Sequence, residues 1–165
     1  MLRSTVMVLL CGAVIGAQAF AGVKNEALGG QSFKGEIEVT ASPEEVWTVL
    51  TDTRKIGEVL QYKYLGGATT FESLGDHARF KVWGDEGTLF LVYATPKEEL
   101  RVSWIPDNGS YLCQERWTLT TEGKWTKVTY ESRYTESGAQ SADELAKQVK
   151  ASETMLKRLK KAVEG

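Results

Sequence analysis

Two periodicities divide the chain. From Phe33 to Ala41, apolar positions (Phe33, Gly35, Ile37, Val39, Ala41) alternate with Lys34, Glu36, Glu38 and Thr40. A period of two with charges on the off-beat describes a strand with one buried face. At Ser42 the period changes. Ser42 suits an N-cap, Pro43 fits the first helical turn, and Glu45 three residues on completes a capping box. Val46, Trp47, Val49 and Leu50 then supply the apolar stripe of a short helix ending near Asp52. A second short helix or turn follows from Arg54 to Leu60.

Beyond it the pattern returns to strands divided by turn signals, with no long helix between Tyr62 and Tyr134. The expected strands are Tyr62–Leu65, Thr69–Leu74, His77–Trp83, Thr88–Ala94, Leu100–Ile105, Leu112–Thr120 and Thr126–Thr135. Short connections make neighbours pair as antiparallel hairpins. The chain closes on one long helix. Ser141 and Glu144 form a second capping box, and Leu145, Val149, Ser152, Leu156, Leu159 and Val163 follow at spacings of three and four. At about 1.5 Å per residue this helix reaches roughly 34 Å, enough to cross a sheet. The class is α+β. No glycine-rich phosphate loop and no βαβ alternation are present, which argues against a nucleotide fold.

The first residues follow another logic. Arg3 precedes an uncharged run from Val6 to Ile15, and Ala19-Phe20-Ala21 makes a small-x-small exit. This describes a secretory signal over residues 1–21, cleaved after Ala21, with an uncleaved anchor as the alternative. The apolar part is short for a bilayer span, which takes roughly 20 residues. Residues 22–32 read as a flexible mature N-terminus and 33–163 as one domain, working in the periplasm or secreted. Losing Arg3 makes a chain of net charge −2 one unit more acidic, which argues against nucleic acid as a partner. It also removes Cys11 and leaves Cys113 alone, a small buried residue more readily than a nucleophile. Lys157, Arg158, Lys160 and Lys161 crowd the last turns of the long helix, where cations complement its dipole. That accounts for the cluster without membrane contact.

A strand, a short helical pair, an antiparallel run and a long closing helix form the helix-grip order. On the residues Ile37-x-Val39-x-Ala41-Ser42-Pro43-Glu44-Glu45-Val46-Trp47-x-Val49-Leu50-x-Asp52, the chain resembles the START-like (SRPBCC) superfamily, particularly its polyketide cyclase/dehydrase-type branch. Glu115-x-Trp117-x-Leu119, Lys127-Val128-x-Tyr130 and the closing helix add to the likeness, which spans residues 33 to 163. The resemblance implies a curved antiparallel sheet wrapped around the C-terminal helix, with a cavity between them. It implies little about chemistry, since the superfamily includes carriers, receptors, cyclases and chaperone cofactors. One departure concerns the cavity rim. Members often carry Trp and Pro shortly after the helix Asp, whereas this chain has Thr53-Arg-Lys-Ile-Gly-Glu-Val-Leu60.

On that fold, alternate strand residues line the interior: Ala78, Phe80 and Val82; Leu100, Val102 and Trp104; Val128, Tyr130, Ser132 and Tyr134. Cys113, Glu115, Trp117 and Leu119 join them if Leu119 faces inward. The strand from Thr88 to Ala94 is apolar on both faces, so its register is not readable. The expected ligand contacts are Phe80, Val102, Trp104, Glu115, Trp117, Tyr130, Ser132 and Tyr134, an apolar and aromatic lining with a few polar groups. A solid core of the same residues is the plain alternative. Glu115 is the one catalytic candidate, because an inward carboxyl has its pKa raised by desolvation and can move a proton. The other register, and the simpler expectation, turns Glu115 to water beside Arg101 or Arg133.

His77 shares its face with Arg79 and Lys81 and is expected to be exposed. With one His and no clustered acids at ligand spacing, no metal site and no cofactor are expected. The leading function is an exported binding protein for a hydrophobic or amphipathic small molecule, a lipid, isoprenoid or polyketide-like ring. The rivals are a cavity enzyme of cyclase, dehydratase or hydrolase type and a protein-interaction module with a filled core.

Overall fold

The structure, a computed structural model, describes residues 22–29, 32–136 and 141–165. The expected export signal, residues 1–21, lies outside them. The fold is α+β, a curved antiparallel sheet gripping a long helix. Its strands are β1 (Lys24–Gly29), β2 (Ser32–Val39), β3 (Lys63–Gly67), β4 (His77–Val82), β5 (Asp85–Thr95), β6 (Glu99–Pro106), β7 (Tyr111–Glu122) and β8 (Trp125–Glu136). They lie in the order β1-β2-β8-β7-β6-β5-β4-β3. The first and last long strands therefore pair, with Ile37 opposite Val128 and Gly35 opposite Tyr130.

Two expectations change here. The segment after residue 22 is not loose, because Lys24–Gly29 pairs with β2 as an edge strand. The stretch Thr69–Leu74 is not a strand either. Phe71 donates its N–H to Thr51 O at 2.8 Å, and Thr53 N–H reaches Thr69 O at 3.1 Å, which pins the segment to the helical pair. Buried Phe71 plugs the core from there.

Helix α1 (Pro43–Thr51) starts on the expected capping box, with both Ser42 and Glu45 side chains engaged. Helix α2 (Thr53–Leu60) follows without a loop. Asp52 ends the first helix and caps the second, accepting from the backbone of Arg54 and Lys55. The local sequence thus builds the second helix by a carboxylate cap. Gln61 closes it in a left-handed conformation at φ 64°, so that Tyr62, whose N–H reaches Gly57 O at 2.7 Å, turns back toward the sheet.

Helix α3 (Ala142–Glu164) opens on the Ser141–Glu144 capping box. It lies over β2 and against α1 and α2, burying Ser152, Met155, Leu156 and Leu159. Val149 and Val163 of the expected stripe are half-buried, and the side chain of Leu145 lies outside the described ones. Three side chains in the last turns tie the helix down. Arg158 donates to Glu58 O (3.4 Å), Lys160 donates to Glu38 O (2.8 Å), and Glu164 accepts from Thr40 N–H (2.7 Å). Part of the cationic cluster therefore anchors the helix, while Lys157 and Lys161 stay in water. No described helix is long and apolar enough to cross a membrane.

Two glycines make room for the aromatic interior. A Cβ on Gly57 would sit 2.8 Å from the Phe80 ring, and one on Gly87 would sit 2.7 Å from the Trp104 ring. Both distances lie inside contact range, so any side chain there displaces the ring it faces.

Candidate functional site

Strand β7 decides the polar centre of the molecule. Its burial alternates so that Cys113, Glu115, Trp117 and Leu119 point inward. The water-facing expectation for Glu115 is thereby corrected: the residue is only 2 % exposed. The correction has a plain cause. Trp117 and Leu119 share the Glu115 face, and burying an indole and a leucine outweighs keeping one carboxyl in water. Arg101 and Arg133 lie on the other face, and Glu115 instead stands between Val102 of β6 and Ser132 of β8 in the sheet register.

Its surroundings are phenols, a thiol and rings. Tyr62 donates its hydroxyl to Glu115 Oε1 at 2.9 Å. Cys113 Sγ approaches the same oxygen at 3.9 Å and Ser132 Oγ at 3.4 Å. Among the described residues, Glu115 Oε2 and the Nε1 of Trp117 on the same strand are both enclosed without a hydrogen-bond partner. Unsatisfied buried groups of this kind are uncommon and each asks for a reason. Desolvation pushes the Glu115 carboxyl up to about 7, against the pull of hydrogen bonds from Tyr62, Cys113 and Tyr130. Burial and then the Glu115 charge push Tyr62 and Tyr130 well above the usual phenol range. Tyr134 moves the same way through burial, Cys113 and Glu115. Burial likewise raises the Cys113 thiol out of reach of neutral pH, so it stays protonated and is a poor nucleophile. The result is a carboxyl that changes charge near neutrality, ringed by groups that remain hydrogen-bond donors.

Between the sheet and α3 lies a recess of about 120 Å³. Phe33, Tyr62, Tyr130 and Tyr134 form its sheet side, Gln148, Ser152 and Met155 its helix side, and Trp83 stands at its mouth. Trp83 occupies the β4–β5 turn at φ 49° and is 71 % exposed. The recess is narrower than ordinary ligand pockets of roughly 300–1,000 Å³. Rings fill the rest of the space: Tyr62 lies 5.7 Å from Trp104 and 6.1 Å from Phe80, and Trp117 lies 4.5 Å from Tyr130, centroid to centroid.

All eight expected ligand residues are buried on the inner face, but at different depths. Tyr130 and Tyr134 line the recess directly. Phe80 and Trp104 back the Tyr62 ring, and Trp104 Nε1–H donates to Tyr111 OH at 3.1 Å. Glu115, Val102, Trp117 and Ser132 lie one layer deeper, joined to the recess through Tyr62 and Tyr130. His77 is exposed, as expected, with its ring 5.5 Å from Phe90. Sequence reasoning missed Tyr62, Phe33 and the helix residues Gln148 and Met155. The alternation of β2 contained the signal for Phe33. Nothing in the pattern marked Tyr62, which sits in the link between α2 and β3.

No family model and no curated protein matches the chain. Solved structures do. Protein CV1439 from Chromobacterium violaceum superposes with a TM-score of 0.64 at 15 % identity, covering 82 % of this chain and 98 % of that one. CalU16 from Micromonospora echinospora gives 0.59 at 19 % identity, over 88 % and 87 %. DynU16, a protein in the dynemicin biosynthetic locus, gives 0.63 at 22 % identity, over 81 % of this chain, which spans about half (47 %) of the DynU16 chain. At such identities the likeness is one of fold.

Proposed function

We propose that this chain is an exported small-molecule-binding protein of the START-like kind, whose guest enters the recess between α3 and the sheet. One observation carries the reading: a fully buried carboxyl with a free oxygen stands behind a layer of tyrosines at the foot of a recess that opens beside Trp83. A core with no guest to serve gains nothing from such a group, since an apolar residue of similar size would avoid its desolvation. The guest is amphipathic. Its apolar part lies against Leu60, Met155 and Trp83, where burial contributes about 25 cal/mol per Å². Its hydroxyl or carbonyl parts the tyrosine layer and meets Glu115 and the phenols. A guest of more than a few heavy atoms requires α3 to move outward, because the standing recess is small. The resemblance to the polyketide cyclase/dehydrase-type branch favours a ring-shaped guest of the polyketide type, and the fold is shared with a protein of the dynemicin biosynthetic locus.

A second reading is favoured by the Tyr62–Glu115 pair. A carboxyl poised near 7 beside a phenol 2.9 Å away suits proton transfer to and from a bound ring, as in a cyclisation or dehydration. In it Glu115 takes the proton and Tyr62 or Tyr130 holds the developing oxyanion.

Native mass spectrometry of the full chain purified from its own host tests both. Binding predicts a co-purifying mass released on denaturation, and export predicts a polypeptide beginning at Gly22. Protein that is empty and stays empty against a panel of aromatic polyols would refute the first reading. Glu115→Gln that retains the guest but leaves its mass unchanged over time, where wild type alters it, identifies catalysis.

A further inference from the structure

The opposite face of the sheet holds a second concavity, of about 430 Å³, across β5 to β8. Its walls include Val92, Tyr93, Arg101, Arg116 and Arg133, with Glu131 and the strand residue Glu115 also bordering it. The register sets three arginines on adjacent strands: Arg101 stands directly opposite Arg116, and Arg133 stands opposite Gln114, diagonal to Arg116. Like charges placed opposite one another destabilise a sheet unless something neutral or negative joins them.

The carboxylates at hand cover only part of this charge. Glu99 serves two cations, bonding Arg101 and reaching Arg116 Nη2 at 2.7 Å. Glu131 lies a loose 3.8 Å from Arg116 Nη1. Arg133 has no ion-pair partner among the described residues, and Arg116 Nε is enclosed without an acceptor. Three guanidinium groups thus share two carboxylates, on a chain whose net charge is −2.

Beside them lies an apolar shelf. The pairing of β5 with β6 slips between Leu91 and Tyr93. Such a bulge sends two successive side chains to one face. Val92 and Tyr93 are accordingly 46 % and 42 % exposed there, with the Arg101 guanidinium 4.7 Å from the Tyr93 ring centroid. Exposed apolar surface next to uncompensated positive charge matches one kind of partner.

We infer that this outer groove binds a small organic carboxylate, its anionic end between Arg133 and Arg116 and its apolar body on Val92 and Tyr93. The planar fork of arginine suits a carboxylate, and charge-assisted hydrogen bonds of this type are the strong ones. An arriving carboxylate meets the exposed Arg133 guanidinium and the accessible end of Arg116. Arg101 and Arg133 are exposed on the outer face while the recess residues Tyr130 and Tyr134 are buried on the inner one, so the two sites can be tested apart.

The test titrates 1-naphthoate and its neutral counterpart 1-naphthalenemethanol into the full chain by calorimetry, with arginine Nε–H resonances followed by NMR. The expected result is saturable binding of naphthoate only, weakened as salt rises from 50 to about 500 mM. Arg133→Gln should weaken it roughly tenfold, the equivalent of about 1.4 kcal/mol, whereas Lys161→Gln, the same loss of charge at an exposed position outside the groove, should leave it unchanged. Arg133 is exposed, so this variant is expected to fold as wild type by circular dichroism. Equal binding of the alcohol, no loss in Arg133→Gln, or an equal loss in Lys161→Gln would each overturn the assignment.

Discussion

Glu99 and Glu115 sit on neighbouring strands and on opposite faces of one sheet, and they are the same side chain in two solvents. Glu99 lies on the outer face between Arg116 and Arg101, whose hydrogen bonds, Arg116 first, hold it below the usual carboxylate range. Glu115 lies on the inner face among rings and phenols, and desolvation lifts it to about 7. Three hydrogen-bond donors fail to bring it back. At Glu115 loss of water outweighs what these neutral donors give back, whereas at Glu99 two guanidinium groups supply hydrogen bonds and opposite charge together. The outer glutamate is therefore a structural ion at every working pH. The inner one changes state where cells and secreted fluids operate.

The contrast between faces breaks most sharply at tryptophan. Trp104→Ala empties a fully buried site that Gly87 is shaped to admit, and should cost about 3–5 kcal/mol in urea unfolding. Trp83→Ala, at the exposed turn, should change stability by no more than about 0.5 kcal/mol. Equal costs would mean that the inner rings are not the core they form here.

Next comes acidity. Below the ordinary 4.5, both folded and unfolded chains hold the Glu115 proton; between 4.5 and about 7 only the folded chain keeps it. Stability from this group is thus complete in acid and lost as pH rises through about 7, by roughly 3 kcal/mol. Unfolding curves from pH 4.5 to 8 should show that fall in wild type and a flattened profile in Glu115→Gln. A rise over the same window would sink the inward assignment of the charge.

A finer probe removes one hydroxyl. Tyr62→Phe takes from Glu115 Oε1 its donor at 2.9 Å, so the carboxyl midpoint should move above 7 and stability should drop by about 1–2 kcal/mol. Carbon-13 NMR of the side-chain carboxyl reads the midpoint directly, and an unmoved midpoint would mean that Tyr62 does not govern it. Smaller again is Glu99→Gln on the outer face, expected to cost less than about 1 kcal/mol because its partners are half in water. Its sign is opposite. The Glu99 contribution is present at neutral pH and is lost as pH falls through its lowered pKa, so wild type and variant should converge in acid.

Much of this fold could be read from residue order. The capping boxes at Ser42 and Ser141 set the helix starts, and alternation set the inner faces of β4, β6 and β8. Each is a local rule in which side chain and backbone agree. The direction of Glu115 was harder, because Gln114 and Arg116 make both faces of β7 look polar near it. Trp117 and Leu119 were the deciding signal, and they act two and four residues away. Tyr62 was out of reach altogether. What aims it is the left-handed turn at Gln61 and the Tyr62 N–H bond to Gly57 O, a backbone geometry with no periodic signature. Thr69–Leu74 failed for a related reason: its hydrogen bonds go to the helical pair and not to a sheet neighbour. How tightly the rings pack was equally hidden, since a list of lining residues fixes no volume.

The ties of α3 have a mechanical result. Arg158, Lys160 and Glu164 pin its far end to β2 and α2, whereas before Ser152 its described side chains are exposed or half-buried. A stiff rod tied by these three side chains turns about them, and they lie away from the mouth beside Trp83. Tilting it by about 15° would lift the turn near Gln148 by roughly 4 Å at 1.5 Å of rise per residue. The gap would then widen like a hinged jaw while the pinned end kept its grip.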